Sequence, residues 1–262
     1  MKKGNRSSLR LAIAGVCGTA AAIVGFAPSA SAAPITGVTT LQDLINANQG
    51  NPNDGIPQGG VVVGDKQFYD FSYVGTPPPD PTGPNPFPNA PRADQIAVQT
   101  APGPDIGLEF SFGWDASNGF RMDSLIEYKV HVLDPSQAIN DVGLAFNGAA
   151  PVPGNATFAS VTETVSSLAG APLGVFSVFN DGTGGLPDNN TNSDPLAPAQ
   201  RDLMVSKDIN VNSAPQALGG GVATISLVDN TFHQASVPEP TTLGLLGGVA
   251  GIGLLGRRKR AR

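Results

Sequence analysis

Alternation with a period of two constrains this chain more than any other feature. Along residues 105–115, Ile106, Leu108, Phe110, Phe112 and Trp114 point one way, and Asp105, Gly107, Glu109, Ser111, Gly113 and Asp115 point the other. Successive side chains of a strand leave on opposite faces. Such a stretch therefore belongs in a sheet with one face on a core and the other in water or under a light cover. Ile126, Tyr128, Val130 and Val132 repeat the pattern against Glu127, Lys129 and His131, and Val142, Leu144 and Phe146 repeat it again. Tyr69, Phe71 and Tyr73 alternate with Phe68, Asp70 and Ser72, so the aromatic set is expected on one face. Further strands are expected at 157–165, 173–179, 203–211 and 222–232, separated by turn chemistry such as Pro153-Gly154-Asn155 and Asp181-Gly182. One short helix is expected at 41–46 with Thr40 as its N-cap. The expected fold is all-β: a single antiparallel β-sandwich or jelly-roll-like domain of eight or nine strands.

The ends of the chain read differently. Lys2, Lys3, Arg6 and Arg10 precede an apolar run at 11–27 and the small residues Ala30, Ser31 and Ala32. This is the layout of a signal peptide over 1–32, with cutting after Ala32 and Ala33 as the alternative. Cys17, the single cysteine, lies inside that run, and Ala14 and Val16 do not suit lipidation of it. The mature domain, residues 33–236, therefore has no thiolate chemistry, no disulfide and no cysteine-based zinc site. Six of the 15 basic residues but 20 of the 21 acidic ones fall in it, a net charge of −14. That balance repels nucleic acid and anionic lipid. Residues 76–91 hold eight prolines and read as an exposed extended loop, because proline cannot donate to a sheet.

Residues 237–262 carry three pieces in fixed order. Pro238, Glu239 and Pro240 come first, then an uncharged apolar run at 241–256, then a basic tail at 257–262. A helix over that run would be about 24 Å long against a hydrocarbon core of about 30 Å, so it spans marginally, as a transmembrane sorting helix. Basic residues on one side only put the tail inside and the body outside. This arrangement resembles the PEP-CTERM sorting signal of Gram-negative bacteria. The resemblance implies recognition by an exosortase, a membrane enzyme that cuts near the motif. The body would then be inner-membrane anchored only transiently before it reaches the cell surface or the extracellular space. The body itself resembles a subgroup of PEP-CTERM proteins. It shares an LQDLI start (41–45), a GDK-x-F-x-x-F strand (64–71), a short ET segment (163–164) and a KDI-x-V near the end (207–211). The resemblance brings membership and a link to exopolysaccharide, and no activity.

Chemistry is sparse. Residues 180–194 supply Asp181, Asp188 and Asp194 with several asparagines, a set of oxygens that calcium would suit, although the EF-hand pattern is missing. A plain Asn/Gly-rich loop has the same composition and is the preferred reading, so no cofactor is expected. The two histidines, His131 and His233, lie in no G-x-S-x-G or HExxH setting; His131 reads as a polar-face residue and His233 as part of a segment leaving the fold. Glu109 and Glu127 are the least implausible pair for glycoside hydrolysis, and neither is nominated. Trp114 reads as a residue at the core rim rather than a sugar platform. The expectation is a non-enzymatic, exported structural or adhesive component whose partners are the secretion machinery, exosortase and exopolysaccharide, with no nucleic acid. The alternative is a carbohydrate-binding or calcium-dependent sugar-binding module.

Overall fold

The computed structural model describes residues 33–34, 37–47, 59–75, 90–150, 157–181, 191–218 and 220–237. The signal peptide expected to Ala32, most of the Pro-rich loop, Asp188, the Pro238-Glu239-Pro240 motif, the apolar run and the basic tail lie outside these residues. Ala33 opens the first strand.

Two sheets stack face to face, as the alternation requires. The first has seven strands in the order β1 (Ala33–Pro34), β3 (Val61–Val63), β4 (Lys66–Gly75), β7 (Arg121–Val132), β12 (Asp202–Asn212), β9 (Phe158–Ser166) and β10 (Pro172–Asn180). The second has six, in the order β11 (Thr191–Gln200), β8 (Gln137–Ala149), β13 (Val222–Ser236), β6 (Ile106–Ser117), β5 (Ala97–Thr100) and β2 (Thr39–Thr40). Pairing is antiparallel except between the two-residue β1 and β3. The core is the layer between the sheets, where alternate residues of β6, β7, β8, β9, β12 and β13 are buried.

The helix α1 (Leu41–Ala47) starts where the sequence places it. Asp43 N–H donates to Thr40 Oγ1 at 3.1 Å and Thr40 N–H donates to Asp43 Oδ2 at 3.2 Å, a reciprocal cap. The Thr40 hydroxyl, donating to Asp43 Oδ2 at 2.7 Å, and then the Thr40 N–H hold the Asp43 carboxyl below its ordinary value. Leu41 and Leu44, one turn apart, bury the helix against the sandwich.

Three local expectations fail for identifiable reasons. In β4 the aromatic set does not share one face: Phe68 and Phe71 are both buried, while Tyr69 and Tyr73 are only half-buried. Asp70 adopts φ 57, a left-handed conformation that Asp tolerates, and the pairing with β7 shifts between Tyr69 and Ser72. This bulge adds one residue to the spacing, so both phenylalanines reach the core. Thr191–Gln200 is a strand rather than the end of a loop. Pro195 and Pro198 are tolerated because β11 is an edge strand, pairing only with β8 and losing register between Pro195 and Gln200. Trp114 is not at the rim: it is fully buried and its indole N–H donates to Ser124 Oγ at 3.1 Å. Its ring is therefore closed to a sugar. These additional short and edge strands carry the total past the eight or nine expected.

Candidate functional site

The inner layer contains a polar cluster in an otherwise apolar surround. Val205, Lys207 and Ile209 of β12 all face inward, as do Val161, Glu163 and Val165 of β9. The register sets Lys207 directly opposite Glu163 on the neighbouring strand. From the other sheet, Asn230 of β13 reaches across with Val228 and Phe232 on either side of it. Lys207 Nζ donates to Glu163 Oε2, and Asn230 Nδ2 donates to Glu163 Oε1 at 3.1 Å. Asn230 Nδ2 also donates to Gly143 O at 3.0 Å, and Tyr128 Oη donates to Asn230 Oδ1. Lys207, Glu163 and Asn230 are 0% exposed and Tyr128 is 1% exposed. The Tyr128 ring is packed between Phe68, Phe71 and Phe110, with centroids 5.4–6.1 Å away.

Burial dominates the protonation of this cluster. It pushes the Glu163 carboxyl up, against the opposing pull of the Lys207 ammonium, and pushes the Lys207 amine down, against the pull of Glu163. It also raises the Tyr128 phenol far above its ordinary value, with the Glu163 charge adding to the effect, so Tyr128 stays a donor.

The second feature is a groove of about 360 Å³ on the outer face of the six-stranded sheet. Asp141 and Gly143 of β8 and Asp229, Thr231 and His233 of β13 form its floor, Asn192 of β11 lines it, and Asp105 lies at its end. The absence of a side chain on Gly143 leaves room for the Thr231 hydroxyl, 2.6 Å from where a Cβ would stand. Burial, with Glu109 on the adjoining strand, pushes the Asp229 carboxyl up to about 6. Asp141 Oδ1 and Asp229 Oδ1 are out of reach of solvent and accept no protein hydrogen bond. The groove offers carboxylate, hydroxyl and amide groups to a hydroxyl-rich ligand but no aromatic ring for a sugar to stack on.

The residues singled out in the sequence are scattered. Asp181 follows β10, and Asp194 lies in β11 opposite Val142. Among the described residues no three His, Cys, Asp or Glu side chains gather as a metal site. His131 Nδ1 lies 2.7 Å from Asp202 Oδ1 on the outer face of the seven-stranded sheet. His233 does not leave the fold: it is in β13, with Nε2 2.9 Å from Asp105 Oδ2. Glu109 accepts from Gln99 at 2.6 Å and Ser111 at 3.0 Å, while Glu127 accepts from Ser72 at 3.2 Å. The two glutamates face outward from different sheets, so they cannot flank one glycosidic bond.

The buried cluster was missed as a site, although its strands were expected. The signal was parity: Lys207 occupies the apolar register 203, 205, 209 and 211, and Glu163 occupies the register 159, 161 and 165. A charged residue in phase with a core face asks for a partner.

Residues 236–260 match the family described as the PEP-CTERM protein-sorting motif. The chain carries this signal, which marks it for export and for sorting by an exosortase to the surface. No curated protein matches the chain in sequence. Among solved structures it is similar to the enzymatically active domain of tailspike protein 4 of bacteriophage CBA120, with 12% identity over 64% of this chain and 19% of that one and a TM-score of 0.24. It is similar to a carbohydrate-binding module of the β-sandwich superfamily, with 7% identity over 72% of this chain and 62% of that one and a TM-score of 0.25. It is also similar to a chain of infectious bursal disease virus, Gt strain, with 16% identity over 74% and 46% and a TM-score of 0.27. The chain spans less than two thirds of each, and likenesses this low assign neither a ligand nor an activity.

Proposed function

We propose that this chain is a non-enzymatic structural or adhesive component of the cell surface or extracellular matrix, associated with exopolysaccharide. In this reading its C-terminal apolar segment moors it in the inner membrane until exosortase releases it. One observation supports the sorting and release in this reading: the sorting motif begins at Ser236, the last residue of β13. A cut near Pro238-Glu239-Pro240 would therefore leave every described strand intact. Fractionation of the host with and without its exosortase tests this. The expected result is a surface or medium form lacking the apolar run, replaced by a membrane-bound precursor when exosortase is absent. Release of an uncut chain in both strains would overturn it.

A second reading, a carbohydrate-binding module, is favoured by the outer groove, whose lining sets Asp141, Asp229, Thr231 and Asn192 side by side. A glycan array with and without calcium distinguishes the two. Binding that Asp229→Asn weakens supports the module, and no binding in either condition removes it.

A further inference from the structure

The buried cluster has the parts of a reaction as well as of a support. A single carboxylate touches two nitrogens at once: the amine of Lys207 on one oxygen and the amide of Asn230 on the other. Amine and amide come from different sheets and converge on the two oxygens of one carboxylate, which lowers the entropic barrier to their meeting. Tyr128 donates to Asn230 Oδ1, the atom on which negative charge would build if a nucleophile attacked Cγ. All four side chains are sealed from water, which would otherwise compete for the carbonyl.

We propose that Lys207 and Asn230 are joined by an intramolecular isopeptide bond, formed once per molecule after folding, with Glu163 relaying protons and Tyr128 holding the amide oxygen. Glu163 first accepts a proton from the Lys207 ammonium. The freed amine attacks Cγ of Asn230 and the Nζ–Cγ bond forms. Glu163 then gives its proton to Nδ2, which already donates to it, and takes one in return from the attacking nitrogen. The Cγ–Nδ2 bond breaks, ammonia leaves, and Glu163 ends as the neutral acid. Nothing is oxidised or reduced and no co-reactant is consumed. Burial favours the neutral amine and the neutral acid, the two forms the step needs, while the charge of Asp229 near Lys207 opposes deprotonation of the amine.

The bond would tie β12 of one sheet to β13 of the other in a domain with no cysteine after residue 32. It goes beyond the sorting reading and does not depend on it.

Peptide mapping of the folded, full-length chain tests the proposal. Cleavage before Asp202, Asp208 and Asp229 separates the fragment 202–207, which ends in Lys207, from the fragment that begins at Asp229 and contains Asn230. The expected product is a branched peptide joining the two, with a mass about 17 Da below their sum for the lost ammonia. Glu163→Gln, close in shape but unable to relay a proton, should lower the branched fraction at least about tenfold. Tyr128→Phe should slow its formation without removing a charge. Separate linear fragments from folded wild-type protein would overturn the proposal, and an unchanged branched yield in Glu163→Gln would overturn the role of Glu163.

Discussion

Replacing Lys207 by methionine keeps most of the side-chain volume and removes the cation opposite Glu163. The carboxyl stays where it is, fully buried and hydrogen-bonded to Asn230, with nothing to offset its charge. Removing one partner of a buried pair costs about 3–5 kcal/mol, a large share of the roughly 5–15 kcal/mol that holds a domain together. The right reference is the double variant Lys207→Met with Glu163→Leu, which removes both charges and, like the single variant, lacks any covalent link. The single variant should be less stable than this double by about 3–5 kcal/mol at pH 8. The sign of the pH dependence follows from burial. Glu163 has a folded value raised above its ordinary 4.5, so its stability contribution is full below that value and is lost as pH rises through the folded value. Each unit of that rise is worth about 1.4 kcal/mol. Lys207→Met should therefore weaken as pH rises from 4 to 8. The converse variant, Glu163→Leu, leaves an amine whose value burial lowers, so its stability is lost as pH falls. Trp114 is the single tryptophan and is fully buried, so its fluorescence reports guanidinium unfolding of each variant. Parallel pH slopes for the two single variants, or a gap below about 1 kcal/mol from the double, would refute the buried pairing.

Two further outcomes can be checked with the same assay. Asp229 has its folded value pushed up to about 6, so its contribution is full near pH 4 and is lost as pH rises through about 6. Asp229→Asn should raise stability at pH 8 by about 1–2 kcal/mol after discounting for partial exposure, and change little at pH 4. A Cβ on Gly107 would stand 1.9 Å from the Asn230 backbone oxygen, so Gly107→Ala must push β6 off β13; a loss above about 2 kcal/mol is expected, with faster hydrogen exchange in β13.

The strands that could be read in the sequence were those with an unbroken period. In β7 the apolar parity runs the length of the strand and burial follows it residue by residue, while in β6 the same parity sets the inner face although Gly107 and Glu109 of the outer face are buried too. β4 hid its true faces because the bulge at Asp70 is a backbone event that no hydropathy pattern records. β11 hid altogether, since an edge strand pairs on one side and can carry the prolines and polar residues of a loop. The site was legible only in halves. The ET and KDI segments were noticed as segments, and Lys207 and Glu163 sit in core parity. Their meeting depends on the order of β9, β12 and β7, which local sequence does not specify. Asn230 is harder still: its role comes from crossing between sheets, a contact 67 residues away from Glu163 along the chain.

The position of β13 has a bearing on trafficking. It sits between β8 and β6 in the middle of its sheet, yet it is the last described strand before the sorting motif. A nascent chain lacking its final stretch would leave β8 and β6 without the strand that joins them, so this half of the molecule cannot mature early. The polypeptide would stay pliable enough to thread a translocon. It would reach its finished state only when its far end emerges.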